Sequence, residues 1–378
     1  MAIDRRSVMA LAAGAASSVA IGASARTLKR TPESLADWII VNALGGLGDP
    51  NHPNDGLVPD ISPRVLAEAH ASGLTMVNVT LGYVSGPADP FEQSVRDIAA
   101  TDALIRTYDR DLMKIWNVAD IRRAKAQGKI GLLYGFQNGA MLGKDVNRVD
   151  IFADLGVRVF QLTYNPANQI GDGSMTPDNR GLTDFGRAVI ARLNARRVMV
   201  DLSHSGERTC LEAAHTSTQP ISINHSGCRA LTDLPRNKSD AELRLVAEKG
   251  GFIGIYFMPF LNPTGHARAE DVVAHIDHAI NLCGEDHVGI GTDGSVTQID
   301  DLNAYQAILA KEIEKRRAAG ISAAGERPDT YPFVPDLRGP EQFRKLAGLL
   351  KAKGYTNTRI EKIMGLNFLR YGERVWGE

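Results

Sequence analysis

The residues best suited to chemistry sit where apolar runs end. Val198-Met199-Val200-Asp201-Leu202-Ser203 leads into His204, Ile221-Ser222-Ile223-Asn224 into His225, and Val288-Gly289-Ile290-Gly291-Thr292 into Asp293. Gln137 follows the run Lys129 to Gly135, and Tyr164 closes the run Arg158 to Thr163. Imidazole and carboxylate are the ligands a hard-to-borderline divalent metal takes. A lone histidine after a strand is more often a hydrogen-bonded packing residue than a ligand. Two histidines and an aspartate at equivalent positions of separate runs point instead to a metal or catalytic cluster. Gln137 and Tyr164, taken singly, read equally well as satisfied wall residues. His52, His70, His215, His266, His275, His278 and His287 fall in expected loops, helices or a strand start.

These positions need a frame that brings strand ends together. Eight short apolar runs recur along the chain: Trp38 to Val41, Leu74 to Leu81, Lys129 to Gly135, Arg158 to Thr163, Arg197 to Leu202, Pro220 to Ile223, Gly251 to Phe257 and Val288 to Gly291. Segments with helical periodicity separate them. Leu182, Phe185, Val189 and Leu193 share one helix face behind a Thr183 cap, and Phe343, Leu346, Leu349 and Leu350 lie between Pro340 and Gly354. Strands alternating with helices pair in parallel, so the expected fold is a single α/β domain, a (β/α)8 TIM-type barrel. In such a barrel the C-terminal strand ends converge on one mouth. A dinucleotide fold is the weaker alternative, because no G-x-G-x-x-G follows the first strand. Residues 48–63 and 297–338, the latter with a helix around Tyr305 to Arg317, read as insertions forming a rim or lid.

Composition narrows the partners. The chain has 378 residues, 43 Lys+Arg against 44 Asp+Glu, and a formal charge of −1, with no basic stripe of the kind nucleic acid requires. The expected ligand is a small molecule or peptide, and a homodimer is the one assembly left open. Residues 1–25 read as an export signal: Arg5-Arg6, an Ala/Gly-rich apolar stretch, then Ala23-Ser24-Ala25, resembling a twin-arginine leader. That predicts a periplasmic or exported protein with the barrel over residues 26–378 and no integral membrane segment once the signal is removed. Cys210, Cys228 and Cys283 have no zinc-site spacing and read as small buried residues.

Six ordered motifs resemble the membrane dipeptidase (renal dipeptidase) family. They are Gly181 to Gly186, Val200 to His204, Asn224-His225-Ser226, Pro235-Arg236-Asn237, Gly289 to Asp293 and Gly365 to Arg370. The resemblance implies a two-zinc barrel, metallo-dependent hydrolase-like, that hydrolyses dipeptides and tolerates a D-residue at the C-terminal position. It also implies that His204 and His225 are ligands of one zinc, that Asp293 handles the proton of the attacking water, and that Arg236 binds the substrate carboxylate. The sequence departs from the family where Leu44 and Gly46 replace a His-x-Asp pair, Gln137 replaces the bridging Glu, and Tyr164 stands at a substrate-contacting His. This is the pattern of a divergent bacterial branch.

The expected function is therefore metal-dependent hydrolysis of dipeptides or related small amides at a reduced site, with one zinc or none, held by His204, His225 and Gln137. Asp293 would be catalytic, and Arg236 and Tyr164 substrate-binding. Asp49, His52 and Asp55 are candidate replacement ligands. Two alternatives remain: a lyase or isomerase using Tyr164 and Asp293 as an acid/base pair, and a pocket that binds without turnover.

Overall fold

A computed structural model describes residues 37–52 and 61–377, so the expected signal segment and Asp55 lie outside the described residues. Nine strands run in parallel: β1 (Ile40–Gly45), β2 (Leu74–Leu81), β3 (Leu112–Ile115), β4 (Ile130–Phe136), β5 (Val157–Gln161), β6 (Met199–Asp201), β7 (Ser222–Ser226), β8 (Phe252–Ile255) and β9 (Val288–Ile290). Their hydrogen-bonded order is β1-β2-β4-β5-β6-β7-β8-β9, with β3 beside β4. The eight in sequence form the expected barrel, nearly closed.

Its seam depends on one amide. Asn42 Oδ1 accepts from Thr292 N and Asn42 Nδ2 donates to Thr292 Oγ1, each at 2.8 Å. Beyond that pair, Asp293 N donates to Leu44 O at 3.0 Å and Gly46 N to Gly294 O at 3.2 Å.

The sequence reading did not include β3. Leu-Met-Lys-Ile is short and carries a lysine, so it lacks the apolar run that marks a barrel strand. Gly131 of β4 pairs with Met76 on one side and Met113 on the other, whereas Gly135 pairs with Thr80 and Val159. Thus β3 and β5 occupy one edge of β4 in succession. A second shift has consequences for the site: β7 runs to Ser226, so His225 lies within a strand rather than after one.

Alternation along each strand sorts the side chains. Val41, Met76, Leu133, Val159, Met199 and Phe252 point into the barrel and pack with Phe368, Leu369, Tyr371 and Trp376. These last four come from the helix Asn367–Trp376, which closes the floor. The Gly365 to Arg370 motif therefore serves packing: Asn367 Nδ2 donates to Glu285 O and Val288 O at 2.7 and 2.8 Å. One layer higher, the same alternation brings in Asn78, Gln161, Asp201 and Asn224, all buried. Room for this polar layer comes from Gly254 and Gly291, where a Cβ would approach Asn224 O to 2.0 Å. A larger apolar core fills the space between the sheet and the surrounding helices.

Local chemistry places those helices. Thr183 Oγ1 accepts from Gly186 N at 2.9 Å and starts the helix Asp184–Ala195, as its capping position predicts. The helix expected after Pro340 runs Gln342–Ala352, and the 297–338 insertion contains the helix Leu302–Ala318. The three cysteines are free thiols, Cys210 and Cys228 buried. Among the described residues no helix is long and apolar enough to cross a membrane.

Replacing Asn42 with leucine is expected to lower stability by about 2–3 kcal/mol, because it strands the buried Thr292 N–H and removes the amide that joins β1 to the residue after β9. Denaturant unfolding of wild type and variant checks this; a loss below about 0.5 kcal/mol would show that the seam does not depend on the amide.

Candidate active site

At the barrel mouth lies a cavity of about 400 Å³ whose lining includes Gln137, Tyr164, Asn165, His204, Arg236 and Asp293. The opposite wall is the insertion, contributing Tyr305, Ile308, Leu309, Ile313, Arg316 and Glu326. His225 stands behind His204, with their Nε2 atoms 3.0 Å apart. The six residues singled out in the sequence thus gather at one end of the barrel. Strand ends deliver five of them: His204 follows β6, His225 belongs to β7, Asp293 follows β9, Gln137 follows β4, and Tyr164 lies beyond β5; Arg236 comes from the loop after β7.

Asp201 holds the two histidine-bearing segments together. Its Oδ1 accepts from Ser203 N and Asn224 N, both at 3.0 Å, and from Ser203 Oγ. Ser203 Oγ in turn accepts from His225 N at 3.0 Å. Burial pushes the Asp201 carboxyl up, while these donors and the Arg236 cation pull it back.

Asn165 orients His204. Asn165 Nδ2 donates to Ile321 O at 2.7 Å, so its Oδ1 faces His204 Nδ1 at 2.6 Å. Nδ1 must then carry the proton, which leaves the His204 Nε2 lone pair facing the site. Tyr164 stacks on the same imidazole, with centroids 4.2 Å apart, and its hydroxyl accepts from Arg316 Nη2 at 3.2 Å. Asn165, Arg316 and Glu326 were missed in the sequence. Arg316 follows Lys315 and precedes Arg317 in what reads as a solvated charge run, and only the folded insertion turns it inward.

Arg236 is the unusual group. It is 2 % exposed, and among the described residues no carboxylate pairs with it. Its Nη1 donates to Ser203 O, and Nη2 faces His204 Nε2 at 3.2 Å and His225 O at 3.5 Å. Burial, reinforced by this cation, holds both histidines well below their ordinary pKa, so each imidazole is neutral. Asp293 shows the opposite response: burial pushes its carboxyl up to about 6, against the pull of Arg236 and Arg316. Its backbone is left-handed, φ 59°, a conformation that Asp and Asn tolerate better than most residues.

The profile of the family described as membrane dipeptidase (Peptidase family M19) matches residues 65–323. The chain belongs to the membrane dipeptidase family. An uncharacterised dipeptidase of Schizosaccharomyces pombe is 29% identical over 305 residues, which cover 77% of this chain and 63% of that protein. Among solved structures, an amidohydrolase from Pseudomonas aeruginosa is 31% identical with a TM-score of 0.78, over 91% of this chain and 98% of the other. A metallo peptidase from Rhodobacter sphaeroides, liganded with a phosphinate mimic of L-Ala-D-Ala, shares the fold at 20% identity and a TM-score of 0.68, over 90% and 99% of the two chains.

The two-zinc set that family resemblance implies does not fit this membrane dipeptidase homologue. Leu44 is buried, and Leu44 and Gly46 serve the barrel seam through their backbones. Gln137 commits its amide nitrogen to Thr80 Oγ1 at 2.6 Å. Among the described residues no three His, Cys, Asp or Glu side chains gather to hold a metal. The proposed replacements do not change this: His52 is 70% exposed beside Asp49, and Asp49 accepts from Asn51. What remains is the imidazole pair. Its 3.0 Å separation suits two nitrogens each about 2.0–2.1 Å from one zinc ion, and Asn165 supplies the outer carbonyl that orients metal-binding imidazoles. The pair therefore fits a single ion whose shell neutral groups or water would complete.

Asp293 links stability to pH. Its folded pKa lies above its ordinary 3.8, so its stabilising contribution is fully present below about pH 4 and lost as pH rises through about 6. The unfolding free energy of wild type relative to Asp293→Asn should accordingly fall by on the order of 1–2 kcal/mol between those limits. A pH-independent difference would show that the carboxyl is not perturbed.

Proposed function

We propose that the chain hydrolyses dipeptides or related small amides bearing a free carboxylate. The observation carrying this reading is that a guanidinium with no carboxylate partner among the described residues, the neutral His204 imidazole backed by His225, and a carboxyl with a pKa of about 6 converge at one mouth cavity. Membership of a metallopeptidase family and the dipeptide mimic bound by the Rhodobacter neighbour support it.

Arg236 would bind the substrate carboxylate with its planar fork, replacing backbone carbonyls and a ring nitrogen with an anion. Asp293, ionised above about pH 6, would take the proton of the attacking water and return it to the leaving amine. The Tyr164 hydroxyl, which accepts from Arg316, keeps its own proton free to donate to the carbonyl oxygen as charge develops there. His204 and His225 are the residues that would hold a zinc ion; when bound, such an ion polarises the carbonyl and lowers the pKa of water. The Arg5-Arg6 segment supports export to the periplasm as part of the same reading.

The absent acidic ligands favour a second reading, a pocket that binds its ligand without cleaving it. Turnover separates the two. Hydrolysis of L-Ala-D-Ala by zinc-supplemented protein should show an acid limb near pH 6. Arg236→Met should lower kcat/KM by about 10²-fold or more. Bound zinc should not exceed one ion per chain and should be lost in His204→Ala. Metal-free protein that stays inactive on every amide after zinc addition would overturn the hydrolase reading.

A further inference from the structure

Resting on the reading of this cavity as an amide-hydrolysing site, we propose that its substrates are N-acyl amino acids. The free carboxylate lies at Arg236, and the acyl side of the amide is an uncharged apolar chain under the insertion, where a dipeptide would carry its α-ammonium.

Tyr305, Ile308, Leu309, Glu312, Ile313 and Arg316 line the cavity from the helix Leu302–Ala318. Their spacing puts them on one face of that helix, which roofs the mouth. Four of the six are apolar or aromatic, and Met258 and Phe260 continue the apolar surface from the barrel side. Among the described residues lining the cavity, Asp293 aside, no buried carboxylate stands free to meet an ammonium there, and the half-exposed Glu312 faces solvent. Glu326 pairs with Arg316 at 2.8 Å, and Glu312 pairs with Lys315 at 2.8 Å. Position 137, where the family resemblance implies a glutamate, is a neutral amide bonded to Thr80. Asp293 is the remaining carboxyl, and it must exchange protons with water and the leaving group rather than neutralise a fixed cation. Desolvating an unpaired ammonium is costly, whereas apolar chain burial is favourable. The cavity therefore matches an anion with an apolar tail.

The chemistry balances without a co-reactant. A water O–H proton passes to Asp293, the water oxygen bonds the acyl carbon, and the C–N bond breaks. Asp293 returns the proton to nitrogen, and the second water proton passes from the new carboxyl to the amine, releasing a free amino acid and an acyl carboxylate.

The test uses the full chain, zinc-supplemented, with N-acetyl-, N-butanoyl-, N-hexanoyl- and N-octanoyl-alanine of both configurations and L-Ala-D-Ala as the zwitterionic comparison. Calorimetric binding and turnover are read separately. Affinity should rise by about two- to fourfold per added methylene until the cavity is filled. N-hexanoyl-alanine should exceed the dipeptide in kcat/KM by about tenfold or more. Ile308→Asp, at a half-buried position of the cavity lining outside the buried core, should flatten the chain-length dependence. Chain-length-dependent binding with no amide turnover would sustain this ligand class and overturn the hydrolase reading. Equal or better use of the dipeptide, or affinity independent of chain length, would overturn the ligand class while leaving hydrolysis in place.

Discussion

A buried cation with no carboxylate partner among the described residues organises this protein. Arg236 sits among Ser203 O, His204 and His225 O, all neutral acceptors. Burying a charge in that way is expensive, and neutral hydrogen bonds only partly offset the cost. The surroundings respond to it. Both histidines stay neutral beside it, and Asp201 and Asp293 each feel its pull against the stronger effect of burial.

The barrel keeps this arrangement rigid by carrying polarity into its own interior. Asp201 binds the turn after β6 to β7 through Ser203 and Asn224, so the segment bearing His204 is fixed against the strand bearing His225. The same layer is incompletely satisfied: Asn224 Nδ2 and Oδ1, Gln161 Oε1 and His225 Nδ1 have no protein partner. An apolar layer there would be more stable, since each buried orphan costs about 1–3 kcal/mol. Stability below the mouth is thus exchanged for a polar, preorganised one, and the apolar floor supplied by Phe368, Tyr371 and Trp376 compensates.

The insertion is tied to the chemistry by two contacts. Arg316 reaches the Tyr164 hydroxyl, and Ile321 O holds the Asn165 amide whose other end orients His204. Any movement of this roof would release the group that selects the His204 tautomer.

The alternation of apolar runs with helix-period segments made the barrel legible, because a parallel sheet covered on both faces must bury continuous apolar strands. His204, His225 and Asp293 were legible for a related reason: polar side chains at the ends of such runs have one mouth to share. β3 was not, since four residues with a central lysine leave no periodic trace and owe their strand state to the free lower edge of β4. Nor could sequence place Arg316 and Asn165, whose partners lie 152 and 156 residues away in the chain. By itself, then, the sequence determined the architecture, the family motifs and the loss of acidic metal ligands, all of which are properties of local residue type and spacing. Only the tertiary structure decided that Arg236 has no carboxylate partner among the described residues, that the two imidazoles meet 3.0 Å apart, and that a largely apolar helix face roofs the mouth, because each depends on which distant groups share the same small volume.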